Sequence, residues 1–390
     1  MISAYNPSTV NQKYLRFTVP ADGTYKAYSL QADQTWLEVP SDMLCYTATT
    51  DKKQASTFDE CELFVKAQTA AHSTTYIKVE AVASKSGKVQ PTNDTQISNE
   101  STLLSYIKQD KGKSVFTLEH PEMGIKQDIA FSLQYYNPST GNDGYADSDN
   151  VPSGAYIFKP KRGDMDKKPY CSFQRMETYK TEASGVEAFA LYYANADSSK
   201  EYTVLIRTMP ETMTLEWEVQ LHGIPVSDYQ GKEVVVNWDI LDFASNNTFY
   251  TDSNGLEMQK RVLNERPDFT LVTDEFASSN YYPINSAIAI RGQNNIQVTL
   301  MNDRSQGGSV LEDGSIEFMQ NRRLLHDDGR GVGEDLNETN ESGYGIQVNT
   351  RYFLQVFDTT KTKSMQRETQ LVVDEPLTYF SAKADSMELA

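Results

Sequence analysis

The feature that most limits the fold of this 390-residue chain is a two-residue period in its apolar side chains. In "TLEWEVQL", Leu215, Trp217, Val219 and Leu221 alternate with Glu216, Glu218 and Gln220. Successive side chains of a strand point to opposite faces, so this pattern predicts a half-buried strand with one wet face. "NIQVTLM" repeats it with Ile296, Val298 and Leu300, and "TTYIKVEAV" with Ile77, Val79 and Ala81. Turn pairs punctuate such runs: Asp143-Gly144, Asn254-Gly255, Gly307-Gly308 and Asp313-Gly314. That spacing suits antiparallel hairpins and sandwiches. Helical periodicity is nearly absent. "STLLSYIKQ" from Ser101 is short and reads equally as a strand, and "QLVVD" near the end is strand-like. The expectation is an all-β fold.

A chain of this length exceeds one ordinary core and calls for more than one domain. The polar, Gly- and Pro-punctuated "SKSGKVQPTNDTQIS" at 84–98 suggests the boundary. Residues 1–86 would form a small β-sandwich and residues 87–390 a larger sheet assembly, with 380–390 reading as a frayed or cut end. A net charge of -18 repels phosphate backbones and anionic lipid, which argues against nucleic-acid and membrane partners. No apolar run approaches the ~20 residues a spanning helix needs. "MISAYNPSTVNQK" has neither the basic start nor the apolar run of a signal peptide.

Few residues offer chemistry. His72, His120, His222 and His326 have no paired ligand spacing, and a zinc site needs three or four converging donors. Cys171 has no evident histidine partner. The acidic run "NDGYADSDN" at 142–150 lacks the glycine a calcium loop requires. Cys45 in "MLCYT" and Cys61 in "ECELF" fall on two predicted neighbouring strands, near enough to make a disulfide a candidate beside the alternative of two free thiols. Five sequons, at Asn93, Asn99, Asn246, Asn337 and Asn340, permit N-glycosylation in a secretory compartment.

One stretch departs from the strand pattern. "RRLLHDDGRGVG" at 322–333 packs three arginines, two adjacent aspartates and three glycines into a chain of sheet. It reads as a solvated turn or as a loop shaped to present polar groups to a ligand. With the preceding "DRSQGGSVLEDGS", this stretch resembles the C-terminal half of glycoside hydrolase family 38, the zinc-dependent α-mannosidases, and most of all their lysosomal type. "FYTDSNGLEMQKR" at 249–261 and "SGAYIFKP" at 153–160 agree with the same family in the same order, so the resemblance covers nearly the whole chain.

The resemblance implies a galactose-mutarotase-like supersandwich for the larger domain. It implies retaining hydrolysis of terminal α-mannose in glycans. The zinc ligands and the aspartate nucleophile of the family lie in an N-terminal half, so this chain is expected to bind no cofactor and to be inactive by itself. Lysosomal or secreted localisation follows from the same likeness. Two positions match residues that reach the family's sugar site: Arg330 in D-D-x-R-G and Tyr156 in S-G-A-Y. The competing readings are an Arg330 that locks its own loop to Asp327 or Asp328, and a Tyr156 in the core. Arg322, at a strand end, is expected to be solvated or in a surface pair. A non-enzymatic carbohydrate-binding or scaffold module that kept the fold is the alternative function.

Overall fold

The computed structural model describes residues 1–46, 60–82, 88–143, 150–163, 166–195, 201–252, 254–271, 273–341, 343–361 and 366–382. Among these residues the chain is all-β, built of four sheets in face-to-face layers. The first two layers are a five-stranded and a four-stranded sheet. They enclose a core that includes Leu15, Phe17, Val65 and Ile77. The other two layers are nine-stranded sheets around a much larger core.

Aromatic rings fill the centre of that larger core. Trp217 meets Trp238 edge-on with ring centroids 5.8 Å apart, and Phe131 lies against both. Such edge-to-face pairs add about 0.5–1.5 kcal/mol each beyond their buried area. The two pairs of layers are joined through a third cluster, in which Leu44 and Phe64 of the four-stranded sheet pack on Ala188, Ala190 and Tyr192. Alternation explains how one strand serves two cores. Along Glu187–Ala194, Phe189, Leu191 and Tyr193 face the large core while Ala188, Ala190 and Tyr192 face the small sandwich.

Three expectations change. The strand Leu215–Leu221 is there, but its predicted wet face is covered: Glu218 is buried and Glu216 half-buried against the four-stranded sheet. Everything after residue 86 was assigned to the larger assembly, yet Lys88–Val89 pairs with Ser41–Leu44 of the small sandwich. The last strand, Thr378–Ser381, likewise pairs with the first, Ile2–Tyr5. Finally, "QLVVD" ends a helix, Gln366–Asp374. Its valines favour strands by propensity, but the segment packs Val373 on Ala287, Met301 and Phe353 instead of joining a sheet edge. Segment "STLLSYIKQ" takes its strand reading, Leu103–Asp110, with an irregularity between Tyr106 and Lys108.

Cys45 and Cys61 sit opposite each other just beyond the Leu44↔Glu62 pair and are joined as a disulfide, with Cα atoms 4.4 Å apart. Cys171 is a buried free thiol whose pKa burial pushes up. Among the described residues no helix is long and apolar enough to cross a membrane.

Candidate functional site

The outermost nine-stranded sheet presents strands Lys232–Ile240 and Ser315–Arg323 side by side. Their inward residues, such as Val234, Val236, Trp238, Ile316 and Phe318, belong to the core. Their outward residues carry the polar groups. A register shift between Val234 and Val235 brings Glu233 opposite Arg322. Glu233 is fully buried, and Arg322 donates to its Oε1 from Nε at 3.0 Å and Nη2 at 2.8 Å. Burial pushes the Glu233 carboxyl above its ordinary range, against the pull of Arg322 and of the Ser153 hydroxyl. Its second oxygen has no hydrogen-bond partner among the described residues. Arg322 is therefore no solvated strand end. The competing expectation failed because its partner lies 89 residues away and only sheet register unites them.

The segment at 153–160 lies over this sheet. Phe158 anchors it, with its ring against Tyr136 at 5.6 Å and Tyr281 at 4.7 Å. Ser153 Oγ donates to Glu233 at 2.6 Å, and the Ile157 carbonyl accepts Arg322 Nη2 at 2.6 Å. Tyr156 is left pointing away from the core, 66% exposed.

The loop following Arg323 is closed at its base, where Leu324 N–H donates to Leu336 O at 2.9 Å. Gly329, Gly331 and Gly333 all have positive φ, which accounts for the density of glycine there. Asp328 is buried, which is unusual in so exposed a loop. Its Oδ2 accepts the main-chain N–H of Tyr156 at 2.7 Å and of Ile157 at 3.1 Å. Its Oδ1 accepts the N–H of Arg330 at 3.0 Å. Arg330 is exposed, and among the described residues its guanidinium makes no ion pair or hydrogen bond. Tyr156 and Arg330 thus sit on two loops that share one carboxylate. A depression of about 180 Å³ lies along the same two segments, lined in part by Ser153, Lys161, Tyr229, Leu325 and His326, but Tyr156 and Arg330 are not among its lining residues.

The remaining candidates are dispersed. His120 is buried and bonded through Nδ1 to Thr102 and Ser101, while His326 is exposed. Among the described residues no three His, Cys, Asp or Glu side chains converge to hold a metal ion. Asp147 and Asp149 lie outside the described residues. Of the sequons, Asn93 and Asn246 are exposed. Asn99 is engaged, its Nδ2 donating to Met209 O and Thr212 O at 2.7 and 2.8 Å. Asn337 accepts from Arg323 Nε at 2.7 Å, and Asn340 Oδ1 accepts the Tyr344 N–H. What the sequence reading missed is the Glu233–Arg322 pair and the reach of Asp328, named only as a partner for Arg330, to the segment that bears Tyr156. The glycine of S-G-A-Y was the available signal, because a Cβ on Gly154 would lie 2.6 Å from Asp328.

A layered all-β body with a polar loop site on its outer sheet is the build of a glycoside hydrolase β-domain. The chain belongs to glycoside hydrolase family 38: residues 94–330 match the family's C-terminal domain. It is 38% identical to the lysosomal alpha-mannosidase of Bos taurus over 253 residues, which are 65% of this chain and 23% of that protein. It is 33% identical to the lysosomal alpha-mannosidase of Dictyostelium discoideum over 274 residues, 68% of this chain and 25% of that one. The chain thus spans about a quarter of the length of these relatives. The crystal structure of an alpha-mannosidase from Enterococcus faecalis V583 superposes with a TM-score of 0.59 at 12% identity, over 98% of this chain and 46% of that one. At that identity the likeness bears on fold alone.

Proposed function

We propose that this chain is the β-domain portion of a retaining, zinc-dependent α-mannosidase acting on terminal α-mannose of glycans in a lysosomal or secreted setting. The zinc ligands and the aspartate nucleophile belong, in this reading, to an N-terminal half, and Tyr156 and Arg330 form one wall of the sugar site. The observation that carries it is the tethering to one buried carboxylate of an exposed tyrosine and of an exposed arginine whose guanidinium is unpaired among the described residues. A guanidinium offers a fixed fork of donors to ring hydroxyls, and a tyrosine adds a hydroxyl and an apolar face that suits a pyranose. That these relatives are lysosomal alpha-mannosidases supports the substrate class. The Cys45–Cys61 disulfide and the exposed Asn93 and Asn246 are compatible with an oxidising, glycosylating compartment.

The test compares residues 1–390 alone with the same residues joined to an N-terminal half. Turnover of an aryl α-mannoside and one tight zinc per chain are expected only in the second. Zinc and turnover by residues 1–390 alone would overturn the division of labour. A carbohydrate-binding module without catalysis is the outcome if neither preparation turns over while glycan binding persists.

A further inference from the structure

Two loops from distant parts of the chain converge on Asp328, and the way its oxygens are divided carries the inference. Oδ2 faces the 153–160 segment and accepts from Tyr156 and Ile157. Oδ1 faces its own loop and accepts from Arg330. Each oxygen serves one loop, so both must be acceptors. An amide cannot meet that demand, since it would turn an NH2 group toward main-chain N–H on one side. The close approach is built in. At Gly154 an added Cβ would fall 2.6 Å from both the Cβ and the backbone N of Asp328. Charge-assisted bonds of this kind are about twice as strong as neutral ones.

A second brace acts from below. Arg322 reaches the Ile157 carbonyl at 2.6 Å while paired to buried Glu233, and Ser153 Oγ, also on Glu233, accepts the Lys159 N–H at 2.9 Å. The segment bearing Tyr156 is held on one side by the sheet and on the other by Asp328. Among the described residues, the loop bearing Arg330 has no comparable brace of its own beyond Asp328 and its closed base.

We infer that Asp328 is a positioning residue that couples Tyr156 and Arg330 into one unit, each carboxylate oxygen fixing one of the two loops. Asp328 touches no substrate in this scheme and acts through the side chains it orients. The functional half of the inference rests on the proposed sugar-site reading, whereas the coupling itself does not.

Hydrogen exchange on the 390-residue chain tests the coupling directly. In Asp328→Ala the amides of Tyr156, Ile157 and Arg330 should all exchange at least about tenfold faster, the scale of a lost bond to a charged acceptor. In Asp328→Asn one loop should keep its protection and the other lose it. Amides of Lys232–Ile240 serve as the unmoved control. Should either variant fail to fold, Gly154→Ala displaces the carboxylate without removing it and should loosen the same amides. Unchanged exchange at these positions overturns the coupling.

The functional half is read in the protein that includes an N-terminal half. There Asp328→Asn should lower kcat/KM for an aryl α-mannoside about tenfold by the same reckoning. The loss should shrink in a Tyr156→Phe/Arg330→Ala background, a non-additivity that a merely structural role would not produce. Fast exchange with normal kcat/KM, while Arg330→Ala is impaired, overturns positioning. If Arg330→Ala and Tyr156→Phe are also unimpaired, the sugar-site reading has failed and the functional inference falls with it, leaving only the exchange result.

Discussion

Two clusters in this molecule pair arginine with buried glutamate, and they are built to different ends. Between the four-stranded sheet and the large sheet assembly, fully buried Arg207 reaches Glu62, Glu216 and Glu218 at 2.9, 2.8 and 2.9 Å, and Arg16 bonds the same three carboxylates. Tyr46 accepts from Arg207 Nε at 3.1 Å. Under the loops at 153–160 and 324–336, Arg322 meets Glu233, and among the described residues one carboxylate oxygen is left without a hydrogen-bond partner. A few residues further on, the Arg330 guanidinium has no ion pair or hydrogen bond among the described residues. Burying a charge costs several kcal/mol unless partners and hydrogen bonds offset it. The interlayer cluster satisfies that demand and cements two layers. The Glu233 cluster satisfies it only up to the loop it supports, and the Arg330 guanidinium beyond is unpaired among the described residues.

The largest effect expected from this contrast follows loss of Arg207. Arg207→Met leaves three carboxylates between layers with Arg16 still paired to them and Arg351 acting on Glu216 from the neighbouring strand, and stability should fall by about 3–5 kcal/mol in urea unfolding. Lys13→Ala, which breaks an exposed pair with Glu211, should leave the midpoint unmoved. A small loss at Arg207 would mean that the interlayer cluster is ornamental and that the contrast fails. The next effect concerns the sheet that carries Glu62. The Cys45–Cys61 bridge closes a loop of separation 16, so replacing both cysteines with serine should cost about 3 kcal/mol on the chain-entropy scale.

How far these clusters were legible beforehand depends on whether a residue's partners are local. Arg330 and Tyr156 could be singled out because their neighbours in sequence define their motifs, and the charges and glycines around Arg330 set a loop apart from the strands. Arg207 could not. In "LIRTM" it occupies an outward position of a strand, and nothing near it says that another sheet lies on that face. Glu216 and Glu218 misled for the same reason: alternation reports that a face is polar, not that it is wet. Arg322 and Glu233 needed the register shift between Val234 and Val235 to meet. Asp327 and Asp328 are indistinguishable in sequence, yet one is buried and binds two loops. The fold class needed only local periodicity and was read correctly. The exchange of edges, with the last strand returning to the first, depends on contacts across the whole chain.

A middle-sized effect sharpens the site side of the comparison. In the protein that includes an N-terminal half, Arg330→Ala should cut kcat/KM on an α-mannoside by about one to two powers of ten, or roughly 1.5–3 kcal/mol, with no change in melting. Arg322→Ala should show the opposite profile, melting earlier because Glu233 is left buried alone. Equal kcat/KM for wild type and Arg330→Ala, with zinc occupancy checked, would remove that arginine from the site.

The smallest effect, and the finest test, is in pH. Although burial pushes the Glu218 carboxyl up, Arg207 and Arg16 outweigh it and bring it down from an ordinary 4.5 to about 2. A carboxyl lowered in the folded state binds protons more readily unfolded. Its contribution is therefore complete above about 4.5 and lost as pH falls toward 2. Glu233 is shifted upward, so its sign reverses: its contribution is present below the unfolded value and lost as pH rises through the folded one. Measured against wild type, Glu218→Gln should gain relative stability as pH falls below 4.5. Glu233→Gln should gain as pH rises above the ordinary carboxyl range. Neither slope should exceed about 1.4 kcal/mol per pH unit, the value for a single proton. These slopes do not depend on what each amide does to stability at a fixed pH, because they count only the proton. Slopes of the same sign would show that the two clusters handle a buried carboxylate alike, whatever their partners, and the distinction between cement and support would go with them.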